Sequence, residues 1–352
     1  MRTFQEYIEA AAARHASDLH LSAGRTPCCR VNGAHEELLP EKLTPEDVAF
    51  AAEGIMQEEQ RRILRDNGES DFAAYHPELG RFRINVFRQR NSLTLVAKIL
   101  NTEIPTPESL GIPLQTLEAV RRKQGLILVT GPSGSGKTTT LASLIDFINR
   151  TESRHVIMLE DPIEYLHPHV KSIVNQREIG KDARDIPTAL RAALRQDPDV
   201  IYSSELPDLE SMSTALTAAE TGHLVLSALH TVDAASTVDR FVDVFPPYQQ
   251  QKIRTQLADV LLCVISQQLL PRADGEGFVA AMEILLTNGA IRSSIREGKS
   301  AQIPAILQIN RQNGTQSMDD AILELFKKGE ITKDTALTHA HDRQYLRSRL
   351  SE

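Results

Sequence analysis

The residues with the clearest chemical purpose are GPSGSGKT at 131–138. Gly131, Gly134 and Gly136 free the backbone to turn, so that successive N–H groups can point inward around a phosphate. Pro132, Ser133 and Ser135 fill the rest of the loop. Lys137 follows as a mobile point charge for β- and γ-phosphates, and the hydroxyl of Thr138, followed by Thr139, is placed to ligate Mg²⁺. The strand-like LILVT (126–130) precedes the loop directly and the helical TTLASLIDFIN follows it. A strand–loop–helix setting adds the partial positive charge of a helix N-terminus and makes the pattern specific.

Hydrolysis of a bound nucleotide also needs carboxylates opposite such a loop. LEDPIE (159–164) supplies Glu160, Asp161 and Glu164 just past a second apolar strand. DPDVIYSSELPD (197–208) supplies Glu205 past a third. A carboxylate there can orient the attacking water or hold magnesium-bound water, which makes Asp161 and Glu205 candidate metal-site acids beside Thr138. In TGHLVLSALHT (221–231) two histidines flank another apolar strand, and His230 falls at its carboxyl end. Ligands of open α/β sheets bind at that edge.

The elements that must position these groups have two grammars. Residues 3–14 have amphipathic helical spacing, and DLHLS (18–22) and PCCRVNG (27–33) read as short strands. Thr44, Pro45 and Glu46 form a helix start. RFRINVFRQR (81–90) alternates, with Phe82, Ile84 and Val86 on one face and Arg81, Arg83 and Asn85 on the other; SLTLVAKIL (92–100) completes a hairpin. A proline-containing stretch at 101–116 is expected to link this α+β domain (1–100) to a second domain (117–352). There LILVT, HVIML (155–159), VIY (200–202) and LVLSAL (224–229) alternate with helical stretches at 186–196 and 209–220. Continuous apolar strands separated by helices indicate a parallel sheet covered on both faces. From about 247 onward the spacing is mainly helical, with one strand at 278–285.

Composition narrows the function classes. The 352 residues carry a formal net charge of -8, which disfavours a general nucleic-acid binder. No apolar run is long enough to insert in a membrane, and the charged start lacks a signal-peptide pattern, so a cytoplasmic protein is expected. Three cysteines, none in a Cys-x-x-Cys pair, leave neither a disulfide framework nor a zinc site; Cys263 reads as a core thiol.

With their order and spacing, these elements resemble the GspE/PilT family of secretion and pilus ATPases. The similarity runs from ASDLHLSAG (16–24) through RFRINVFRQR and LTAAETGHLVLSALHT (216–231) to AIRSSIREGK (290–299), the last resembling a motif of the PilT-type retraction ATPases of type IV pili. The resemblance implies a RecA-like P-loop core behind a PAS-like N-terminal domain. It further implies a homo-hexamer that binds ATP and Mg²⁺ between the N-terminal domain of one subunit and the core of the next. It makes GPSGSGKT the Walker A loop, Glu164 the Asp-box glutamate, Glu205 the Walker B glutamate and His230 the γ-phosphate sensor. Arg81, Arg83, Arg88 and Arg90 become the candidates for arginines that reach a neighbour's nucleotide, a task suited to a planar guanidinium. Such a motor retracts pili and drives twitching motility, working at the cytoplasmic face of the inner membrane on a platform protein. Relatives usually carry Gly-Glu-Met-Arg-Asp where this chain has Ser204, Glu205, Leu206, Pro207 and Asp208, and an arginine where it has Lys98. These departures leave open a weakly hydrolysing partner of a paralogous pilus ATPase. A type II secretion or pilus-extension ATPase is a third reading, disfavoured by AIRSSIREGK and by the absent zinc quartet.

Overall fold

The computed structural model describes residues 1–31, 33–76, 79–99, 103–309 and 314–350. The chain separates into two compact units, Met1–Glu103 and Ile104–Glu352. Asn32 and Leu100, placed in strands from the sequence, and the first two residues of the expected linker lie outside the described residues.

Local signals start the first unit. Thr3 accepts from the Glu6 N–H and Thr44 from the Asp47 N–H, and each acid reaches back to its threonine, so both helices open with capping boxes. The elements are α1 (Phe4–Ala12), β1 (Asp18–Ser22), β2 (Cys28–Val31), β3 (Ala34–Glu37), α2 (Pro45–Glu53), α3 (Glu58–Asn67), β4 (Glu69–His76), β5 (Gly80–Gln89) and β6 (Ser92–Ile99). The strands form one antiparallel sheet in the order β3-β2-β1-β6-β5-β4. Phe82, Ile84 and Val86 alternate into its core with Leu19, Leu21 and Leu95, as period-two spacing requires. The β5–β6 turn places Arg90 and Asn91 at φ of 46° and 62°, a two-residue connection that suits the twist of a hairpin.

The second unit runs α4 (Leu114–Val120), β7 (Gly125–Thr130), α5 (Lys137–Thr151), β8 (His155–Glu160), β9 (Ile173–Glu178), α6 (Ile186–Ala193), β10 (Val200–Ser203), α7 (Leu209–Glu220), β11 (Leu224–Leu229), α8 (Ala234–Asp243) and α9 (Pro247–Val260). It continues with β12 (Leu261–Pro271), β13 (Phe278–Leu286), α10 (Gly289–Arg296), α11 (Ile303–Ile309), α12 (Met318–Lys327), α13 (Lys333–His339) and α14 (Arg343–Arg349). Its sheet has the order β13-β12-β7-β11-β10-β8-β9, parallel throughout except for the edge pair β12–β13. Alternate residues of each strand feed opposite faces. Leu126, Leu128, Ile157 and Ile201 pack with α6, α7, α8 and α9, while Ile127, Val129, Val156 and Tyr202 pack with α4 and α5. This is the RecA-like arrangement, a parallel sheet covered on both sides.

Two expectations need correction. The region after 247 is mainly helical but holds a second strand besides the expected one: Leu261–Pro271 is an eleven-residue strand, the direct neighbour of β7. A strand buried on both faces shows no alternation, so its apolar run carries no period that separates it from a core helix. The sheet is also not wholly parallel, because β13 returns antiparallel beside β12. Cys263 lies in that strand, fully buried, its thiol pushed up to about 12 by burial.

Candidate functional site

In-register pairing brings the candidate groups to one edge. Thr130 lies across from Leu229, and Ser203 across from both Ser227 and Leu159. The segments carrying Lys137, Glu164, Glu205 and His230 therefore all leave the carboxyl edge of adjacent parallel strands. Backbone bonds stitch them there, from the Gly131 N–H to the Leu229 carbonyl (3.3 Å) and from the Ser204 N–H to the Leu159 carbonyl (2.8 Å).

The phosphate loop holds the conformation its glycines permit, with φ of 145° at Gly131, 78° at Gly134 and 87° at Gly136. Pro132, Ser133 and Gly134 are exposed, and Ser135 is buried. The Lys137 ammonium folds back over the loop, donating to the carbonyls of Gly131 (2.8 Å) and Pro132 (2.9 Å). Burial lowers its pKa, with no carboxylate contributing. A half-buried cation held only by carbonyl oxygens suits an incoming anion. Among the described residues the Thr138 hydroxyl makes no hydrogen bond, which leaves it available to a metal. Thr139 is engaged instead with the Tyr165 hydroxyl at 2.9 Å.

Past β10, Glu205 faces His230 across 3.8 Å, both side chains half exposed. The turn beneath them is polar and buried. Ser203 donates to the Glu205 carbonyl (2.7 Å) and Ser227 to the Ser203 carbonyl (2.8 Å). Leu206 is buried, whereas Pro207 is exposed; Asp208 caps α7 by accepting from the Ser211 N–H at 2.8 Å. The proline thus sits just outside a helix start, where a missing N–H costs little. Ser204 places its hydroxyl in the interior with no hydrogen-bond partner.

The acids after β8 separate by environment. Asp161 is exposed and Glu164 half-buried. Glu160 is 3% exposed and accepts from the Gln176 amide at 2.8 Å. Gln176 also holds the Tyr165 carbonyl, so Glu160 lies within the scaffold of the loop that presents Glu164. Of the two histidines, His223 bonds back to the Ala218 carbonyl at the end of α7, and His230 alone faces an acid of the site.

The four arginines lie on the β5–β6 hairpin of the first unit. Arg83 is exposed and grips Asp71 of β4 with both its Nε and Nη2. Lys98 stands across from Arg83 in register. Arg88 and Arg90 are exposed at the hairpin end, and Arg81 is half-buried beside the core residue Phe82.

Two contributors escaped sequence reasoning. Tyr165 ties the Glu164 loop to the phosphate-loop helix through Thr139. Gln267 of β12 donates to the Ser135 carbonyl (2.7 Å) and accepts from Thr140 (2.7 Å). The available signal was the polar pair Gln267–Gln268 inside an otherwise apolar run, legible only once that run is recognised as a strand.

Comparison with known proteins bears on the family and the fold. Residues 92–334 match the family described as Type II/IV secretion system protein. The chain is 42% identical to the type IV pilus retraction ATPase PilT of Pseudomonas aeruginosa, over 94% of this chain and 96% of that protein. It is 41% identical to a twitching motility protein of Neisseria gonorrhoeae, over 91% of this chain and 86% of that one. The crystal structure of the pilus retraction motor PilT with bound ADP superposes with a TM-score of 0.91 at 47% identity, covering 99% of this chain and 100% of that one. The family match over residues 92–334 and the similarity to these relatives across nearly their whole length, on a RecA-like sheet with its phosphate loop at the carboxyl edge, place the chain in the type II/IV secretion system protein family as a PilT-type P-loop ATPase.

Proposed function

We propose that the chain is the subunit of a homo-hexameric motor that couples ATP hydrolysis to retraction of a type IV pilus, and hence to twitching motility. The carrying observation is its similarity to a named retraction ATPase over 94% of its length, with the catalytic segments at one sheet edge. The motor would work at the cytoplasmic face of the inner membrane against the pilus platform protein. No helix among the described residues is long and apolar enough to cross a membrane.

In this reading the backbone N–H groups of 131–138 wrap the β-phosphate. Lys137 exchanges its two carbonyl partners for β- and γ-phosphate oxygens. Thr138 would offer its hydroxyl to Mg²⁺ and Asp161 and Glu205 would hold its water shell; the ion, when bound, would neutralise charge developing on the transferred phosphoryl group. A Mg²⁺ that keeps most of its waters needs few protein ligands. Glu205 orients the attacking water, and His230, facing it, reports the γ-phosphate. Glu164 supports the site from its loop. Arg81, Arg83, Arg88 and Arg90 would serve a neighbouring subunit's nucleotide, Arg83 only after releasing Asp71.

Ser204 and Pro207 favour a second reading, a weakly hydrolysing hexamer partner of a paralogous pilus ATPase. Steady-state ATPase measurements on the purified chain beside Lys137→Ala separate the two. Robust turnover abolished by the substitution supports the motor. Turnover no higher than that of the variant favours the accessory role. Retraction in cells lacking only this chain tests the fibre assignment, and unimpaired retraction would refute it.

A further inference from the structure

Gln267 meets the phosphate loop at three places, Ser135, Gly136 and Gly131, and the helix behind it at Thr140. The residue is 4% exposed. The Ser135 carbonyl is only an acceptor, so the amide must present its NH₂ there, and its oxygen must accept from Thr140. A Cβ at Gly136 would lie 2.8 Å from the Gln267 amide nitrogen, and a Cβ at Gly131 would lie 2.2 Å from the Gln267 backbone carbonyl. Two of the three loop glycines are therefore demanded by this strand residue and not by the nucleotide alone.

A planar trans peptide points its C=O and N–H in opposite directions. Holding the Ser135 carbonyl on the β12 side turns the Gly136 N–H the other way, toward the concave side of the loop. That N–H has no protein partner among the described residues. Thr140, one turn into α5, anchors the same amide, so loop and helix are indexed to one point on β12.

We infer that Gln267 is a positioning residue for nucleotide binding: it sets the peptide plane that aims the Gly136 N–H at the phosphate. The inference rests on this loop being the nucleotide site. Lys137→Ala tests that premise separately, since unchanged ADP affinity in that variant would remove the premise, whatever Gln267 does.

The experiment measures ADP affinity by titration calorimetry on the full chain, for the parent, Gln267→Leu and Gln267→Glu. Thermal midpoint and oligomeric state are checked on the same samples. Both substitutions remove the donor at about pH 8 and are expected to weaken ADP binding roughly tenfold or more. The glutamate has a further property: its protonated form carries an O–H that can donate to the Ser135 carbonyl, and burial raises its pKa. ADP affinity of Gln267→Glu should recover as pH falls from about 8 to about 6, while Gln267→Leu stays weak. Affinities within about twofold of the parent, or equal losses with no pH dependence, would overturn the assignment and leave Gln267 a packing residue. If neither variant folds, Thr140→Val decides. It leaves the donor bond intact but frees the amide to rotate, and a loss of about threefold or more supports the inference whereas unchanged affinity overturns it.

Discussion

Lowering the pH should loosen the loop that carries Glu164, through His167. This imidazole is 7% exposed and neither ring nitrogen has a hydrogen-bond partner. Burial drives its pKa from the ordinary 6.5 to about 4; the nearby Asp146 pushes the other way, and Arg150, paired with Asp146, opposes that rise. Because the folded state resists protonation, the unfolded state binds the extra proton between those two values. Stability is full above pH 6.5 and falls as pH drops toward about 4. A gap of about 2.5 at about 1.4 kcal/mol per pH unit makes roughly 3 kcal/mol, a large share of an ordinary folding free energy. The perturbation is His167→Phe, which keeps a flat ring of similar size and removes both orphan nitrogens. Denaturant unfolding of parent and variant between about pH 7 and about pH 4 gives the difference in stability at each pH. That difference should move in favour of the variant by roughly 3 kcal/mol on acidification. Turnover should also survive acid better in the variant, because Asn149 and Tyr165 already tie the same loop to α5 and His167 is the part that titrates. A stability difference that does not change with pH would refute the reasoning.

Glu205→Gln should retain bound ATP while lowering turnover by about 10²-fold or more, since the amide keeps the shape but cannot accept a proton. Parent-like turnover in a single-turnover assay would shift the chemistry to Asp161 or Glu164. The paired change Ser204→Gly and Pro207→Arg should raise ATPase activity with little loss of thermal midpoint. Position 207 is exposed, so the arginine need not be buried, and the glycine removes a hydroxyl that is interior and unsatisfied. Unchanged turnover in the folded double variant would mean that this segment does not limit hydrolysis.

The order of chemistry along the chain was legible without coordinates because each candidate group follows an apolar strand directly. In a parallel sheet with helical crossovers, strand ends are where ligands bind. The capping threonine at 44, the alternation of Phe82, Ile84 and Val86, and the strand–loop–helix setting of Lys137 are local signals, and the fold uses them as written. What the sequence could not decide is which elements become neighbours. β12 joined β7 because its apolar run is covered on both faces, a property of the assembled sheet that leaves no period in the sequence. Hence Gln267 was invisible as a loop contact: its partners Ser135 and Thr140 lie more than 120 residues away along the chain. The same holds for Glu160, one of three similar acids in the sequence until Gln176 of a neighbouring strand buries it and leaves Glu164 and Asp161 toward solvent. Residue type and local spacing determined which groups could perform the reaction. Long-range pairing decided which of them are free to do so, because desolvation and hydrogen bonding depend on neighbours that only the folded chain supplies.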